Sequence, residues 1–458
     1  MMNNGVILKA LDKQFSLNKE AAKVLVVGLG KTGLSVAYYL RQLGIQFAIV
    51  DSRDKPPFND DLLAEMPDIP VFTGGFDAAV FALATHIVVS PGVSMEEPLI
   101  KQALARGVHS LSDIDLFACS VDKPIVAITG SNGKSTVTTM LGAMAKAAGK
   151  HTVVGGNLGT PALDLLADDV EIYVLELSSF QLERTTQLNA VAATILNVSA
   201  DHLDRYVSIA AYAEQKRKVY DGNGVMLFNA DDPAVIAMRD VGRNALTFGL
   251  QQDADYAVIN IPEGEFLALH GRPILAVNEL LVAGIHNQAN ALAALALGGV
   301  LGLPEEAMCE ALRHYKGLKH RMQFVANIDG VSWVNDSKAT NVGACVAALQ
   351  GFKNADVILI AGGEAKGADM SELVPILKEK VKALLLIGKD GVLIKQAVND
   401  AVPVYEVGTL KKAIKKAVKI AQSGDTVLLS PACASLDQFS NYQERGAVFI
   451  AEVKALEK

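Results

Sequence analysis

Pro124–Thr136 reads PIVAITGSNGKST: an apolar run, a turn framed by Gly130 and Gly133, then Lys134, Ser135 and Thr136 opening a helix. Such a turn aims successive backbone N–H groups at one point, and the helix adds its positive end there. Lys134 supplies a mobile cation for phosphates, and Ser135 supplies a hydroxyl suited to Mg²⁺. The segment predicts a nucleoside triphosphate site. It departs from the ordinary Walker pattern, which wants a glycine where Ile128 stands, so Gly130 gives a shortened loop.

Two other apolar runs end in chemically competent residues. Tyr173–Gln181 delivers Glu176, Ser178 and Ser179 at a strand's C-terminal end, where ligands collect in open α/β sheets, and Glu176 suits magnesium. Ile195–Arg205 sets Asn197, Asp201, His202, Asp204 and Arg205 after another strand, which favours a site role for His202. Lys216, among Gln215, Arg217 and Lys218, reads by composition as a solvated charge. Nearer the N-terminus, Gly28-Leu-Gly30-Lys-Thr-Gly33 follows a strand and opens a helix, with Asp51 ending the next strand. That is the pattern of a dinucleotide fold and supports an NAD-dependent oxidoreductase as a competing reading. No His/Lys/Tyr set for hydride transfer accompanies it, so nucleotide binding without redox is the better expectation.

The elements that must position these residues are short β-branched runs alternating with helical patterns, the mark of α/β architecture with parallel sheets. Val24–Val27, Phe47–Val50 and Ile87–Val89 read as strands in a first unit, with a helix at Gly33–Leu43. A second unit holds the phosphate loop, strands at Tyr173–Leu177 and Ala193–Leu196, and helices at Ile209–Tyr220, Asn287–Leu301 and Pro304–Tyr315. Lys316–Arg321 reads as a linker, and a third unit has strands near Trp333, at Val357–Ala361, Leu384–Ile387 and Thr426–Leu429. In Leu410–Ala421, Ile414, Ala417, Val418 and Ala421 form an apolar face opposite Lys411, Lys415 and Lys419, the pattern of a surface helix. The 458 residues leave ample chain for several cores, and a net charge of −8 argues against a nucleic-acid partner. Four scattered cysteines without a C-x-x-C pair suit free thiols, and no stretch predicts a signal peptide or a membrane span. A cytoplasmic protein is expected.

Eight segments in series, TGSNGKST, GGNLG, LELSSFQLE, NVSADHLDRY, HNQANALAA, HRMQ, NDSKATN and SPACASLDQF, resemble the Mur ligases from about Val24 to the C-terminus. The resemblance implies three α/β domains: an N-terminal Rossmann-like UDP-binding domain over 1–111, a central P-loop ATPase with a parallel sheet over 112–317, and a C-terminal Rossmann-like amino-acid domain over 318–458. It implies ATP-dependent addition of D-glutamate to UDP-N-acetylmuramoyl-L-alanine through an acyl phosphate, with small-molecule substrates and a monomeric chain. Residues 1–23 lie outside the motifs.

The same resemblance carries site roles. Gly130, Asn132, Gly133, Lys134, Ser135 and Thr136 would hold ATP phosphates, with Asn287, Asn290, Arg321, Asp336 and Lys338 around the rest of the nucleotide. Ser135 and Glu176 would meet one Mg²⁺. His202 would meet a second together with Lys216, which the family carbamylates with CO₂; Lys216 is chosen over Lys218 from its spacing after Tyr212. Lys134, His202 and Lys216 are the implied catalytic set. Gly30, Lys31, Thr32, Asp51, Ser52, Arg53, Ser90, Pro91 and Gly92 would face the UDP group, and Asn157 and Ser178 the muramoyl-alanine arm. Thr340, Lys366, Ser435, Leu436 and Tyr442 would recognise D-glutamate, Tyr442 standing where phenylalanine is typical. A hinge is expected at Lys316–Arg321. The open alternatives are a sister ligase taking L-alanine, a diamino acid or a folyl glutamate, the oxidoreductase, and a nucleotide-binding module without turnover.

Overall fold

The computed structural model describes residues 3–457 other than 203, 204, 252, 283, 353 and 400. Among the described residues the strands form three sheets, one for each expected unit. The first is wholly parallel, in the order Val71–Phe72, Phe47–Val50, Val24–Val27, His86–Val89, His109–Leu111. Its central strands are buried throughout, and apolar but for His86, because helices cover both faces. The helix expected from Gly33 begins two residues earlier and spans Lys31–Leu43.

Residues 1–23, unassigned by any motif, contribute a helix, Asn4–Phe15, capped by Asn3. It buries Ile7, Leu11 and Phe15, spaced a helical turn apart, in the core shared by the first two units. His86 Nε2 lies 3.0 Å from the Phe15 carbonyl oxygen and ties the helix to the first sheet.

The second sheet has nine strands. From Thr152–Gly156 through Ile172–Glu176, Ile125–Thr129, Ala192–Ile195, Val225–Asn229 and Ala245–Gly249 to Tyr256–Ile261 the neighbours are parallel. Beyond these, Gly264–Leu269 and Arg272–Ala276 continue as antiparallel hairpins, so the expected parallel sheet is mixed at one edge. Tight turns at Gly264 and Gly271, both with positive φ, make those returns possible without crossover helices. The apolar stretch read as Asn287–Leu301 is the helix Ile285–Val300, buried against the loop helix Lys134–Ala147. Among the described residues no helix is long and apolar enough to cross a membrane.

The third sheet runs Gln323–Ile328, Val331–Asn335, Thr426–Leu429, Val357–Gly362, Val381–Ile387, Val404–Gly408, parallel except for its first pair. Leu410–Ile420 packs on it through Leu410, Ala413, Ile414 and Ala417. Val418, placed on the apolar face from sequence, is half exposed: the buried stripe runs toward Leu410 instead. Residues 315–322 form the connection into this unit, with His320 at φ 62° and Met322 at φ 43°, backbone conformations that are strained for residues with a side chain.

Candidate active site

Ile125–Thr129 lies inside the nine-stranded sheet and ends at Gly130 (φ 148°); Gly133 (φ 85°) precedes the helix Lys134–Ala147. A β-carbon on Gly133 would sit 2.6 Å from Asn290 Oδ1 and would displace that side chain, and the positive φ strains any side chain there. No side chain caps that helix, which leaves its first-turn amides facing the loop. Lys134 folds back, its Nζ donating to the carbonyls of Gly130 (2.7 Å) and Ser131 (2.9 Å). Burial holds its pKa below the ordinary lysine value, against the pull of Glu176 and Asp201.

The register Ile128↔Glu176 sets Glu176 beside the loop. Its Oε1 accepts from Asn157 Nδ2 at 2.6 Å, while its Oε2 is buried without a hydrogen-bond partner. Burial alone would raise this carboxyl, but Lys134 and Lys338, together with Ser135 and Asn157, outweigh it and keep it below the usual range. Ser135 Oγ accepts from Lys338 Nζ at 3.0 Å, and the same ammonium donates to Tyr442 Oη at 3.2 Å. Burial lowers Lys338 to about 8. An orphaned carboxylate oxygen beside a serine hydroxyl and a phosphate loop is a hard-oxygen set of the kind Mg²⁺ completes with substrate phosphates. Among the described residues no group of three His, Cys, Asp or Glu side chains is assembled for a metal by itself.

Lys216 is not the solvated charge its composition suggested. Its Nζ is buried, donates to the Gly130 carbonyl (2.9 Å) and lies 4.4 Å over the Tyr212 ring. Burial, then Lys134, pushes its pKa well below the ordinary value. Lys218 turns away and donates to the Glu183 carbonyl at 2.6 Å, so only Lys216 of the pair reaches the loop. Asp201 is buried, accepting from Lys366 Nζ (2.8 Å) and Asn341 Nδ2 (3.1 Å), with His202 Nε2 3.7 Å away. His202 sits at φ 55°, its ring edge-on to Phe180 at 4.7 Å. Asp204 lies outside the described residues.

Between the loop and the third sheet is a cavity of about 340 Å³ lined by Asn290, Arg321, Asp336, Phe248, Ala347 and Ala348, among others. Asn290 Nδ2 donates to Asn287 Oδ1 at 3.2 Å. Asp336, pushed up to about 6 by burial, accepts from Ser430 Oγ at 2.8 Å and from the Met322 amide at 3.2 Å. Thr136 stands within the first turn of the loop helix with its Oγ1 buried and unpartnered.

Three residues here were given no specific role by the sequence reading. Asn341 Nδ2 bonds Asp201 and also Asn132 Oδ1 (3.3 Å), and its Oδ1 caps the helix Val342–Gln350. Asn197 braces the loop from the next strand, accepting from the Asn132 amide at 2.8 Å and donating to its carbonyl at 3.1 Å. His286 lines the cavity, lowered to about 4 by burial and by Arg321. Asn341 and His286 were present in the NDSKATN and HNQANALAA segments without a role; Asn197 was read only as one of several polar side chains after its strand.

Other expected residues serve the scaffold in this structure. Asp51 accepts four hydrogen bonds, from the Leu29 amide (2.7 Å) and from the Arg53 amide, Nε and Nη2 (2.9, 2.8 and 2.6 Å). Ser90 Oγ donates to the Gly28 carbonyl at 2.8 Å. Ser178 is spent on a capping box with Gln181, and Asn157 on Glu176. Lys31 and Thr32 open their helix; Ser52 is exposed, and Pro91 and Gly92 form the turn after Ser90. In the third unit Thr340 donates its amide to the Lys338 carbonyl (2.8 Å), and Ser435 is buried, its carbonyl accepting from Phe439 (2.9 Å). Leu436 is 66% exposed, so only its backbone is set by the fold.

Three family models match along the chain: "Mur ligase MurD-like, N-terminal domain" over residues 22–112, "Mur ligase middle domain" over 128–298, and "Mur ligase, glutamate ligase domain" over 320–433. The chain is 53% identical to the UDP-N-acetylmuramoylalanine–D-glutamate ligase of Methylococcus capsulatus, covering 95% of each. It is 49% identical to the protein of that name from Pseudomonas syringae pv. syringae, covering 94% of this chain and 98% of the other. Among solved structures it resembles a UDP-N-acetylmuramate-alanine ligase from Thermotoga maritima, with TM-score 0.61, 19% identity, and 95% and 99% of the two chains covered. At that identity the likeness speaks for the fold alone.

Proposed function

This chain belongs to the Mur ligase family, and from that premise we infer that it is an ATP-dependent ligase joining D-glutamate to UDP-N-acetylmuramoyl-L-alanine in peptidoglycan precursor synthesis. The observation that carries the chemistry is the phosphate loop flanked by the unpartnered Glu176 Oε2 and by Lys134, Lys216 and Lys338. A carboxylate is a poor electrophile. The acceptor's alanyl carboxylate therefore attacks the γ-phosphorus of ATP, ADP leaves, and the amine of D-glutamate attacks the acyl phosphate, releasing phosphate.

In this reading the two anions meet because the chain supplies cations. Lys134 leaves the Gly130 and Ser131 carbonyls for the triphosphate, and Lys338 crosses from the third unit to the same place. Asn287, Asn290, Arg321 and Asp336 hold the adenosine and its phosphates in the inter-unit cavity. Glu176 Oε2 and Ser135 Oγ fit one magnesium. His202 and Lys216 fit a second, once the Lys216 amine adds CO₂ and loses an N–H proton to become an anionic oxygen donor. Magnesium, when bound, neutralises phosphate charge and sharpens the electrophile. The low pKa of Lys216 supports that modification, since only the neutral amine attacks CO₂.

The first unit, with Lys31, Thr32, Ser52, Arg53 and the Ser90–Gly92 turn, takes the UDP group. Thr340, Lys366, Ser435, the Leu436 backbone and Tyr442 take D-glutamate, whose carboxylate would draw Lys366 away from Asp201. Residues 1–111, 112–317 and 318–458 are taken as the three units, hinged at 316–321, in a cytoplasmic monomer. Phosphate release with UDP-MurNAc-L-Ala, ATP and Mg²⁺ should depend on D-glutamate and not on L-alanine or L-lysine; turnover with L-alanine but not D-glutamate contradicts the assignment.

A further inference from the structure

Arg205 is the last residue but one of the NVSADHLDRY run, and none of the roles above uses it. Its Nη2 donates to the Val93 carbonyl at 2.8 Å and its Nη1 to the Pro91 carbonyl at 3.4 Å. Arg184, wholly buried, donates Nη2 to the same Val93 carbonyl at 2.7 Å. Glu183 Oε2 lies 3.4 Å from one guanidinium and 3.7 Å from the other, so two central-unit arginines and one carboxylate clamp a single turn of the first unit. That turn is part of the N-terminal nucleotide loop. Val93 donates its amide to the Ser90 carbonyl (3.0 Å), Ser90 bonds Gly28, and Val93 Cγ2 lies 2.9 Å from where a β-carbon on Gly28 would stand.

On its other side Arg205 reaches the reaction centre. Its guanidinium stacks 4.4 Å over the Phe180 ring, which meets the His202 imidazole edge-on at 4.7 Å. The amides of Arg205 and Tyr206 both donate to the His202 carbonyl, at 2.9 and 3.0 Å, which helps hold His202 at its positive φ. From the Ser90–Val93 turn to His202 the path is continuous hydrogen bonding and ring packing: Arg205 bonds the Val93 carbonyl and stacks on Phe180, the ring that meets His202, while Arg184 joins the same turn to the Phe180 carbonyl.

The geometry points to Arg205 as a positioning residue that couples the seating of the nucleotide-sugar acceptor on the Ser90–Val93 turn to the placement of His202 at the reaction centre. Arg184, fully enclosed, is the fixed half of the clamp; Arg205, with its side chain 19% exposed, is the adjustable half. An acceptor that orders the turn fixes the Val93 carbonyl, and with it Arg205, Phe180 and His202. An unseated acceptor leaves that pull slack.

This rests on the turn being an acceptor site, so wild-type turnover is the control for the ligase reading itself. In the full chain, Arg205→Gln removes a charge-assisted hydrogen bond and should raise the KM for UDP-MurNAc-L-Ala about tenfold and lower kcat severalfold. The KM for D-glutamate should stay within about twofold, and acceptor affinity measured by calorimetry without ATP should fall in parallel. Arg205→Lys should recover part of both effects, and combining Arg205→Gln with Ser90→Ala should cost less than the product of the single changes. Unaltered acceptor affinity in Arg205→Gln, or equal losses for every substrate with no recovery in Arg205→Lys, overturns the coupling. An inactive wild type overturns the ligase reading instead.

Discussion

The chain contains two glycine-framed loops after parallel strands, Gly28–Gly33 and Gly130–Gly133, and they differ in what surrounds them. At the first, the polar groups are already spent within the unit: Asp51 on Leu29 and Arg53, Ser90 on Gly28. At the second, Glu176 Oε2 is unpartnered, and three lysines crowd the loop with pKa values lowered by burial. Both loops carry glycines at positive φ; on the function proposed above, the cluster of buried charges around the second is what would separate a loop that reacts from one that only binds.

If that contrast holds, the largest effect belongs to the reactive loop. Lys134→Met should lower kcat by about a thousandfold or more while leaving UDP-MurNAc-L-Ala affinity intact; steady-state rates with a separate calorimetric titration check it. Glu176→Gln should cost about a hundredfold and raise the Mg²⁺ needed for half-maximal rate, read from a magnesium titration. At the quiet loop the loss should be smaller and of a different kind. Asp51→Asn should raise the acceptor KM about tenfold with kcat nearly unchanged, and a fall in kcat equal to that of Glu176→Gln would erase the distinction.

The smallest effect is on stability. His286 is held neutral, down to about 4, by burial and Arg321. The unfolded chain takes up that proton near pH 6.5, so the native state binds fewer protons and stability falls as the solution is acidified. The loss should be about 0.7 kcal/mol between pH 7 and 6. Denaturant midpoints of His286→Gln should be flatter over that window than those of wild type.

Local pattern made much of this legible. The strands Val24–Val27, Phe47–Val50 and Thr426–Leu429 are apolar runs bounded by breakers and need no distant information. The loop and Glu176 announce themselves at strand ends. Lys216 did not: only the family spacing after Tyr212 set it apart from Lys218, and its burial against Gly130 links positions 86 residues apart. Asn341 and Asp201, 140 apart, meet only because the third unit docks on the second. The helix Asn4–Phe15 had its signal in the spacing of Ile7, Leu11 and Phe15, but no motif drew attention to it. The antiparallel edge at Gly264–Ala276 was missed because short hairpins and crossover strands share the same apolar runs.

The central claim is that triphosphate cleavage is spent on activating the acceptor's carboxylate. It is tested most directly by labelling that carboxylate with heavy oxygen, running the full reaction, and weighing the released phosphate. Transfer of one labelled oxygen into the phosphate is the predicted result; amide product accompanied by unlabelled phosphate would contradict it.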